Sequence, residues 1–133
     1  MERQNSSPGK NLNLLLVDDS DPLRQALEQW LSHTFHVKAF SNGAAAIKYL
    51  KEGTPVDILL TDFDLRSVDT IDGLNVAEAV RTVYPECPVI LMTGSSREKF
   101  PRIDLLLAMP DTLLVDKPFE IKDLANLINA MLA

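Results

Sequence analysis

Short aliphatic runs alternate with amphipathic segments along this 133-residue chain, and no other feature restricts its fold as strongly. A run such as residues 12–17 has no polar alternation and stops abruptly at a pair of aspartates, which is typical of a strand buried on both faces. The predicted strands cover residues 12–17, 36–41, 56–61, 88–92 and 112–115. The second is the most polar, which is typical of a strand at the edge of a sheet.

The segments between the strands carry apolar residues every three or four positions, the spacing of a helix with one buried face. The first helix is expected to begin at Ser20 or Asp21, with Pro22 in its first turn. Its apolar stripe, predicted to face the core, is Leu23, Ala26, Leu27, Trp30 and Leu31. Further helices are predicted over residues 43–50, 74–84 and 121–131. Residues 94–110 are expected to hold a fourth helix that is short or irregular, because prolines interrupt them.

Strands that alternate with helices form parallel sheets with right-handed crossovers and helices on both faces. The predicted fold class is therefore α/β, an open and doubly wound sheet of five parallel strands with five helices. Four of the five strands end in polar or charged residues, and the edge strand does not. One shared site at those ends requires the strand order 2-1-3-4-5.

Composition excludes several classes of function. The chain has 13 Lys and Arg against 19 Asp and Glu, a net charge of −6, so no contact with nucleic acid is expected. No apolar run approaches the roughly 20 residues of a membrane span, so no membrane contact is expected. One cysteine and no secretion signal favour the cytoplasm. Residues 1–11 are polar and predicted to be a flexible arm, followed by one domain over residues 12–133.

Chemistry-bearing side chains follow the predicted strands. Asp18 and Asp19 follow the first strand, Asp62 the third, Thr93 the fourth and Lys117 the fifth. Parallel strands bring their carboxyl ends to one edge, where three carboxylates without a cation would repel one another. Lys117 supplies one positive charge, and the excess negative charge suits a hard cation such as Mg²⁺.

Mg²⁺ in proteins is commonly held by one or two carboxylates together with a phosphate group. The natural ligand of the remaining coordination positions is therefore a phosphoryl group. Asp62 is the best-placed nucleophile, because an aspartate can form an acyl phosphate. Thr93 and Lys117 would hydrogen-bond and neutralise the transferred group.

These residues stand in sequence motifs that are similar to those of a known family. The motifs are LLLVDD (14–19), DILLTD (57–62), DG (72–73), PVILMTG (88–94) and KPF (117–119). Together they resemble the receiver domain of bacterial two-component response regulators, over about residues 12 to 131. The resemblance implies a flavodoxin-like fold and a phosphorylation-dependent signalling switch rather than an enzyme.

The resemblance also implies a role for each site residue. Asp62 would accept a phosphoryl group from a histidine kinase or a histidine phosphotransfer protein. Asp19, Asp62 and the backbone carbonyl of Asp64 would bind Mg²⁺, with Mn²⁺ as an alternative ion, and Asp18 would act through a bound water. Thr93 and Lys117 would follow the phosphoryl group and bias the domain toward a conformation that a downstream partner or a second copy recognises.

Departures from the family pattern lie beside the site. The segment 65–71 is about three residues longer than usual and lacks the usual proline, and Leu114 stands where an aromatic residue is common. Gly94 replaces the usual Ala. The apolar cluster 105–109 suggests that the domain signals through a surface other than the one usual in the family, or through an unusual dimer.

Two other functions stay open at this point. Asp62-Phe63-Asp64 imitates the signature of haloacid-dehalogenase-type phosphohydrolases, with Asp64 as general acid or base, although the acidic pair precedes the nucleophile and no cap domain is present. A phosphorylation-independent interaction module with the same fold is the second alternative. A flavodoxin-like nucleotide carrier is excluded, because Asp18 and Asp19 occupy the loop that would bind its phosphate.

Overall fold

The computed structural model describes residues 12–65, 71–94, 108 and 110–132. Nine regular elements lie in this part of the chain. The strands are β1 (Asn13–Val17), β2 (His36–Phe40), β3 (Ile58–Asp62), β4 (Val89–Thr93) and β5 (Thr112–Asp116). The helices are α1 (Asp21–Leu31), α2 (Gly43–Lys51), α3 (Gly73–Val83) and α4 (Ile121–Leu132).

The five strands form one parallel sheet in the order β2-β1-β3-β4-β5, which confirms the predicted fold class and strand order. β3 lies in the middle between β1 and β4, and every residue of β3 and β4 is buried. β2 is an edge strand, as its polar composition predicts. The predicted arm lies outside the described residues. So do most residues of the predicted irregular helix and of the apolar cluster 105–109.

Two hydrophobic cores sandwich the sheet, because side chains of successive strand residues point to opposite faces. On one face, Leu15, Val17, Leu59 and Leu91 pack against α2 and α3. On the other, Leu14, Leu16, Leu60 and Ile90 pack against α1 and α4. Full burial of one such side chain contributes about 1.5–3 kcal/mol to stability, so these layers fix the positions of the strand ends.

Local hydrogen bonds set the starts of two helices. The Asn42 side-chain oxygen accepts from the Ala45 N–H at 2.8 Å and caps α2. Asp72 caps α3 and accepts from the Asn75 N–H at 3.0 Å, while the Asn75 side chain accepts from the Asp72 N–H at 2.9 Å. This reciprocal pair is a capping box, and it fixes where α3 begins.

The structure corrects two details of the sequence analysis. Trp30 is 50% exposed, so the first helix buries Leu27 and Leu31 but leaves the indole outside the core. The apolar stripe on α1 is wider than the surface that it covers. β3 begins at Ile58 instead of residue 56, where its pairing with β1 begins opposite Leu14, and the Asp57 carboxylate accepts a hydrogen bond from the Asn13 N–H at 2.7 Å just before the strand.

No helix in the described part of the chain is both long and apolar enough to cross a membrane.

Candidate functional site

The predicted site residues lie along one edge of the sheet, at the carboxyl ends of β1, β3, β4 and β5. Asp18 directly follows β1, and Asp62 is the last residue of β3. Thr93 ends β4 beside Asp116, its register partner at the end of β5, and Lys117 follows. The sheet thus brings together side chains that are up to 99 positions apart in sequence.

Asp18, Asp19 and Asp62 form an acidic triad. One carboxylate oxygen of each lies within 4.8 Å of the others, an arrangement able to hold a metal ion. Asp18 is fully buried and Asp62 is 6% exposed, whereas Asp19 is partly exposed. Oxygen ligands at this spacing suit a hard cation such as Mg²⁺, and repulsion among the carboxylates favours binding of a positive charge.

Lys117 contacts two members of the triad. Its Nζ lies 3.1 Å from Asp18 Oδ2 and 3.5 Å from Asp62 Oδ2. The Lys117 main-chain N–H donates to the Thr93 carbonyl at 2.7 Å, and this bond ties the two strand ends together. The Lys117–Pro118 peptide bond is cis. One ammonium group therefore offsets part of the negative charge of the triad.

The pKa of the Asp62 carboxyl is raised from the usual 3.8 to about 7. Burial raises the pKa most, Lys117 lowers it, and the charges of Asp18 and Asp19 raise it. Burial is the largest cause, because removal from water disfavours the charged form. A cation beside Asp62 would favour the ionised form of its carboxyl.

Every oxygen of Asp18 accepts a hydrogen bond. Oδ1 accepts from the Ser20 N–H at 2.8 Å, Oδ2 accepts from Lys117, and the main-chain carbonyl accepts from Arg24 Nη1 at 3.0 Å. The other Arg24 nitrogen, Nη2, pairs with Asp21 at 2.6 Å. The Arg24 guanidinium therefore fastens the β1–α1 connection that carries the acidic pair.

Sequence reasoning did not identify Arg24. A signal was available, because a cation in the first turn of a helix that follows a strand lies close to the end of that strand. The guanidinium of Arg24 links the Asp18 carbonyl to the Asp21 carboxylate, and this geometry depends on the path of the β1–α1 connection.

The start of α3 lies against the main chain of Asp62 and Phe63. The Gly73 N–H donates to the Phe63 carbonyl at 2.9 Å. A Cβ at position 73 would lie 2.8 Å from the Phe63 Cα and closer still to the Asp62 carbonyl oxygen. Only glycine allows this approach, which explains the second residue of the DG motif.

The remaining predicted site residues lie near the triad. Thr93 is almost fully buried at the end of β4, and Asp64 is partly buried two positions after Asp62. Leu114 is partly buried against the core on the α2 and α3 side of the sheet, so no aromatic ring occupies that position. Their predicted roles remain predictions. An apolar groove lined by Leu23, Lys117, Pro118 and Phe119 opens beside the site.

Comparisons with known proteins agree with this geometry. A family model described as "Response regulator receiver domain" matches residues 14–129. The chain is 32% identical over 121 residues to the "Response regulator receiver protein CpdR" of Brucella abortus (strain 2308), covering 90% of this chain and 95% of that protein. It is also 33% identical to "Protein PetR" of Rhodobacter capsulatus over 90% of this chain, but spans only 48% of that protein.

Solved structures show the same fold. A response regulator receiver protein from Sinorhizobium medicae WSM419 superposes with a TM-score of 0.79 at 30% identity, covering 92% of this chain and 95% of that one. The chemotaxis response regulator CheY4 of Vibrio cholerae superposes with a TM-score of 0.74 at 23% identity, over 90% of this chain and 98% of that one. With most of its length matched by the family model, the chain belongs to the response regulator receiver domain family.

Proposed function

We propose that this receiver domain accepts a phosphoryl group on Asp62 in a reaction that requires Mg²⁺. The observation that carries the proposal is the position of the Asp62 carboxylate, buried at the end of β3 beside Asp18 and Asp19 and 3.5 Å from the Lys117 ammonium. The donor is the phosphohistidine of a sensor kinase or of a histidine phosphotransfer protein. The apolar groove beside Lys117 offers that partner a surface next to the acceptor.

In the proposed transfer, an Asp62 carboxylate oxygen attacks the phosphorus atom. The P–O bond forms as the P–N bond to the donor imidazole breaks, and the electron pair of that bond returns to the imidazole. Asp19, Asp62 and the Asp64 carbonyl would hold the cation, which would neutralise charge on the phosphoryl oxygens. Because Asp18 already accepts from Ser20 and Lys117, it suits an indirect role. Lys117 would pair with a phosphoryl oxygen and Thr93 would hydrogen-bond another.

Phosphorylation would then change which conformation the domain populates, and a downstream protein or a second copy would recognise that change.

The position of the acidic pair in the chain separates the proposal from the phosphohydrolase alternative. In the receiver family the acidic pair comes from the first strand, and here Asp18 and Asp19 follow β1. The interaction-module alternative differs in one property, because a domain that works without phosphorylation has no need to bind Mg²⁺.

Intact-mass spectrometry after incubation with acetyl phosphate tests the proposal. We expect the gain of one phosphoryl group in the presence of Mg²⁺, no gain with EDTA, and no gain in an Asp62→Asn variant. Asp57→Asn is the matched control, because Asp57 lies at the opposite end of β3 and pairs with Asn13. Labelling that survives in Asp62→Asn would contradict the choice of acceptor. Absence of both labelling and Mg²⁺ binding in calorimetry would favour the interaction module.

A further inference from the structure

The exposed lysines of the described residues are unevenly distributed. Lys38 on β2 and Lys48 and Lys51 on α2 are exposed, and Lys122 on α4 is the other exposed lysine in the described ranges. The chain as a whole carries a net charge of −6. Three cations on adjacent elements of an acidic protein create a local region of positive charge at the β2 edge of the sheet.

Two of these lysines flank a groove with an aromatic floor, here termed the β2 edge groove. Its lining consists of Lys38, Phe40, Ala45, Lys48, Tyr49 and Glu52. The Phe40 and Tyr49 rings lie 5.3 Å apart between centroids, and the Lys38 Nζ lies 5.9 Å from the centre of the Tyr49 ring. An apolar surface with cations at its margins suits a ligand that carries both apolar and acidic side chains.

The main chain of β2 offers hydrogen-bonding groups beside this groove. The His36 N–H donates to the Leu12 carbonyl at 2.9 Å, and the Phe40 carbonyl accepts from the Asp18 N–H at 3.1 Å. Because strand residues alternate in direction, Val37 and Ala39 direct their N–H and C=O groups away from β1. Across the described ranges, no strand pairs with that outer side of β2.

We propose that the β2 edge groove binds an extended acidic segment of a partner protein by strand addition. The segment would hydrogen-bond to the main chain at Val37 and Ala39, as edge strands bind peptides in other proteins. Its carboxylates would lie near Lys38 and Lys48, and an apolar side chain would contact the aromatic floor. Glu52 is the one acidic side chain of the lining, so the segment needs one or two separated carboxylates instead of a continuous acidic run.

A lysine on an edge strand also has a simpler role, because it prevents the edges of two sheets from pairing. That role accounts for Lys38 alone. It does not account for Lys48, which lies on a helix across the aromatic floor from the edge strand. The two explanations give different results for peptide binding, which strand addition requires and edge protection does not.

The probe is a fluorescein-labelled peptide, Thr-Glu-Thr-Val-Thr-Glu-Thr, whose two Glu and one Val side chains lie on the same face of a strand, and its binding is measured by fluorescence anisotropy at low salt. We expect the unmodified protein to bind the peptide with an affinity that falls as salt is added, and the doubly substituted Lys38→Glu/Lys48→Glu protein to bind it about tenfold more weakly at low salt. Lys48→Glu and Lys51→Glu are compared singly as a matched pair, because each makes the same charge change on α2 and only Lys48 lines the groove. We expect Lys51→Glu to change the affinity by less than about twofold and Lys48→Glu to weaken binding more.

Two further peptides test the geometry with the unmodified protein. A peptide with Lys in place of Glu tests the charge preference, and one with every main-chain nitrogen methylated has no N–H groups to donate to β2; we expect neither to bind. Amide NMR shifts on addition of the acidic peptide should be largest at Val37 and Ala39. The proposal is overturned if the acidic peptide does not bind, if the N-methylated peptide binds equally well, or if the shifts lie elsewhere.

Discussion

Replacing Asp62 with Asn should stabilise the chain in the absence of metal, and the effect should grow with pH. The folded pKa of Asp62, about 7, lies above the ordinary value of 3.8 that applies to the unfolded chain. The folded chain therefore holds this proton more tightly. Between those two pH values the unfolded chain loses the proton first, so folding stability falls as pH rises.

The size of this effect follows from the pKa difference between folded and unfolded chains. A difference of about 3 corresponds to about 4 kcal/mol at pH 8, because one pKa unit is worth about 1.4 kcal/mol. This figure is an upper bound, since side chains of the site can relax around the charge, and we expect about 2 kcal/mol. Asn cannot ionise, and it leaves Lys117 paired with Asp18 at 3.1 Å. The variant should therefore lose the destabilisation that the raised pKa of Asp62 causes at high pH, without leaving a cation unpaired.

Urea denaturation followed by far-ultraviolet circular dichroism, with EDTA present, measures this difference. Circular dichroism is preferable to tryptophan fluorescence because the indole of Trp30 is half exposed and reports poorly on the core. The free energies of unfolding of the wild type and Asp62→Asn should be similar at pH 4 and diverge by pH 8. Glu78→Gln, an exposed position on α3, controls for the change in net charge. A stability difference that does not depend on pH would refute the reasoning.

Three further experiments test contacts in the site and in the fold that supports it. Gly73→Ala should destabilise the fold by about 2 kcal/mol or more and abolish phosphorylation, because the added Cβ would clash with the main chain of Asp62 and Phe63. Gly94→Ala should be tolerated, since the nearest atom to its added Cβ would lie 3.9 Å away. Thermal melts measure the stability of both variants, and intact-mass spectrometry measures their phosphorylation. The double variant Arg24→Gln/Asp21→Asn keeps the net charge and should weaken Mg²⁺ binding about tenfold in calorimetry. An unchanged affinity would show that the Arg24–Asp21 ion pair does not position Asp18 and Asp19. Arg81→Met should lower the free energy of unfolding by about 2 kcal/mol in urea, because the Cys87 carbonyl loses its donor at 2.6 Å, while the Pro110 and Asp111 carbonyls keep their bonds from Thr112 and Val89.

The sheet and the location of the site were predictable because both depend on local pattern and on the parallel direction of the strands. The continuous aliphatic run of β3 indicates burial on both faces whatever lies around it. The position of Asp62 at its end then follows from the run itself. The acidic pair after β1 and Lys117 after β5 meet Asp62 because parallel strands end at one edge.

Other features depend on tertiary placement and escaped sequence reasoning. Trp30 has the right spacing for the core, yet the surface under α1 ends before it. Arg81 is buried and donates to the Cys87 carbonyl at 2.6 Å and to the Pro110 carbonyl at 2.7 Å, a position that no charge pattern predicts. The Arg24 bond to Asp18 depends likewise on how one connection turns. Sequence patterns give the side-chain period of an element but not the depth of each side chain.

Two aspartates of the DILLTD motif show how strand direction, rather than residue type, determines where chemistry can occur. Asp57 precedes β3, where one main-chain N–H of β1 satisfies its carboxylate and no other acid forms a metal-binding group with it in the described ranges. Asp62 ends the same strand, where the chain turns toward α3 and where the connection from β1 to α1 brings two more carboxylates. A parallel sheet collects such turns at one edge, because each crossover returns the chain to the opposite edge before the next strand begins. The side chains at this edge are therefore held by several separate connections, and a ligand that binds them contacts segments distant in sequence. This arrangement explains why a phosphoryl group on Asp62 would be able to bias the conformation of the whole domain.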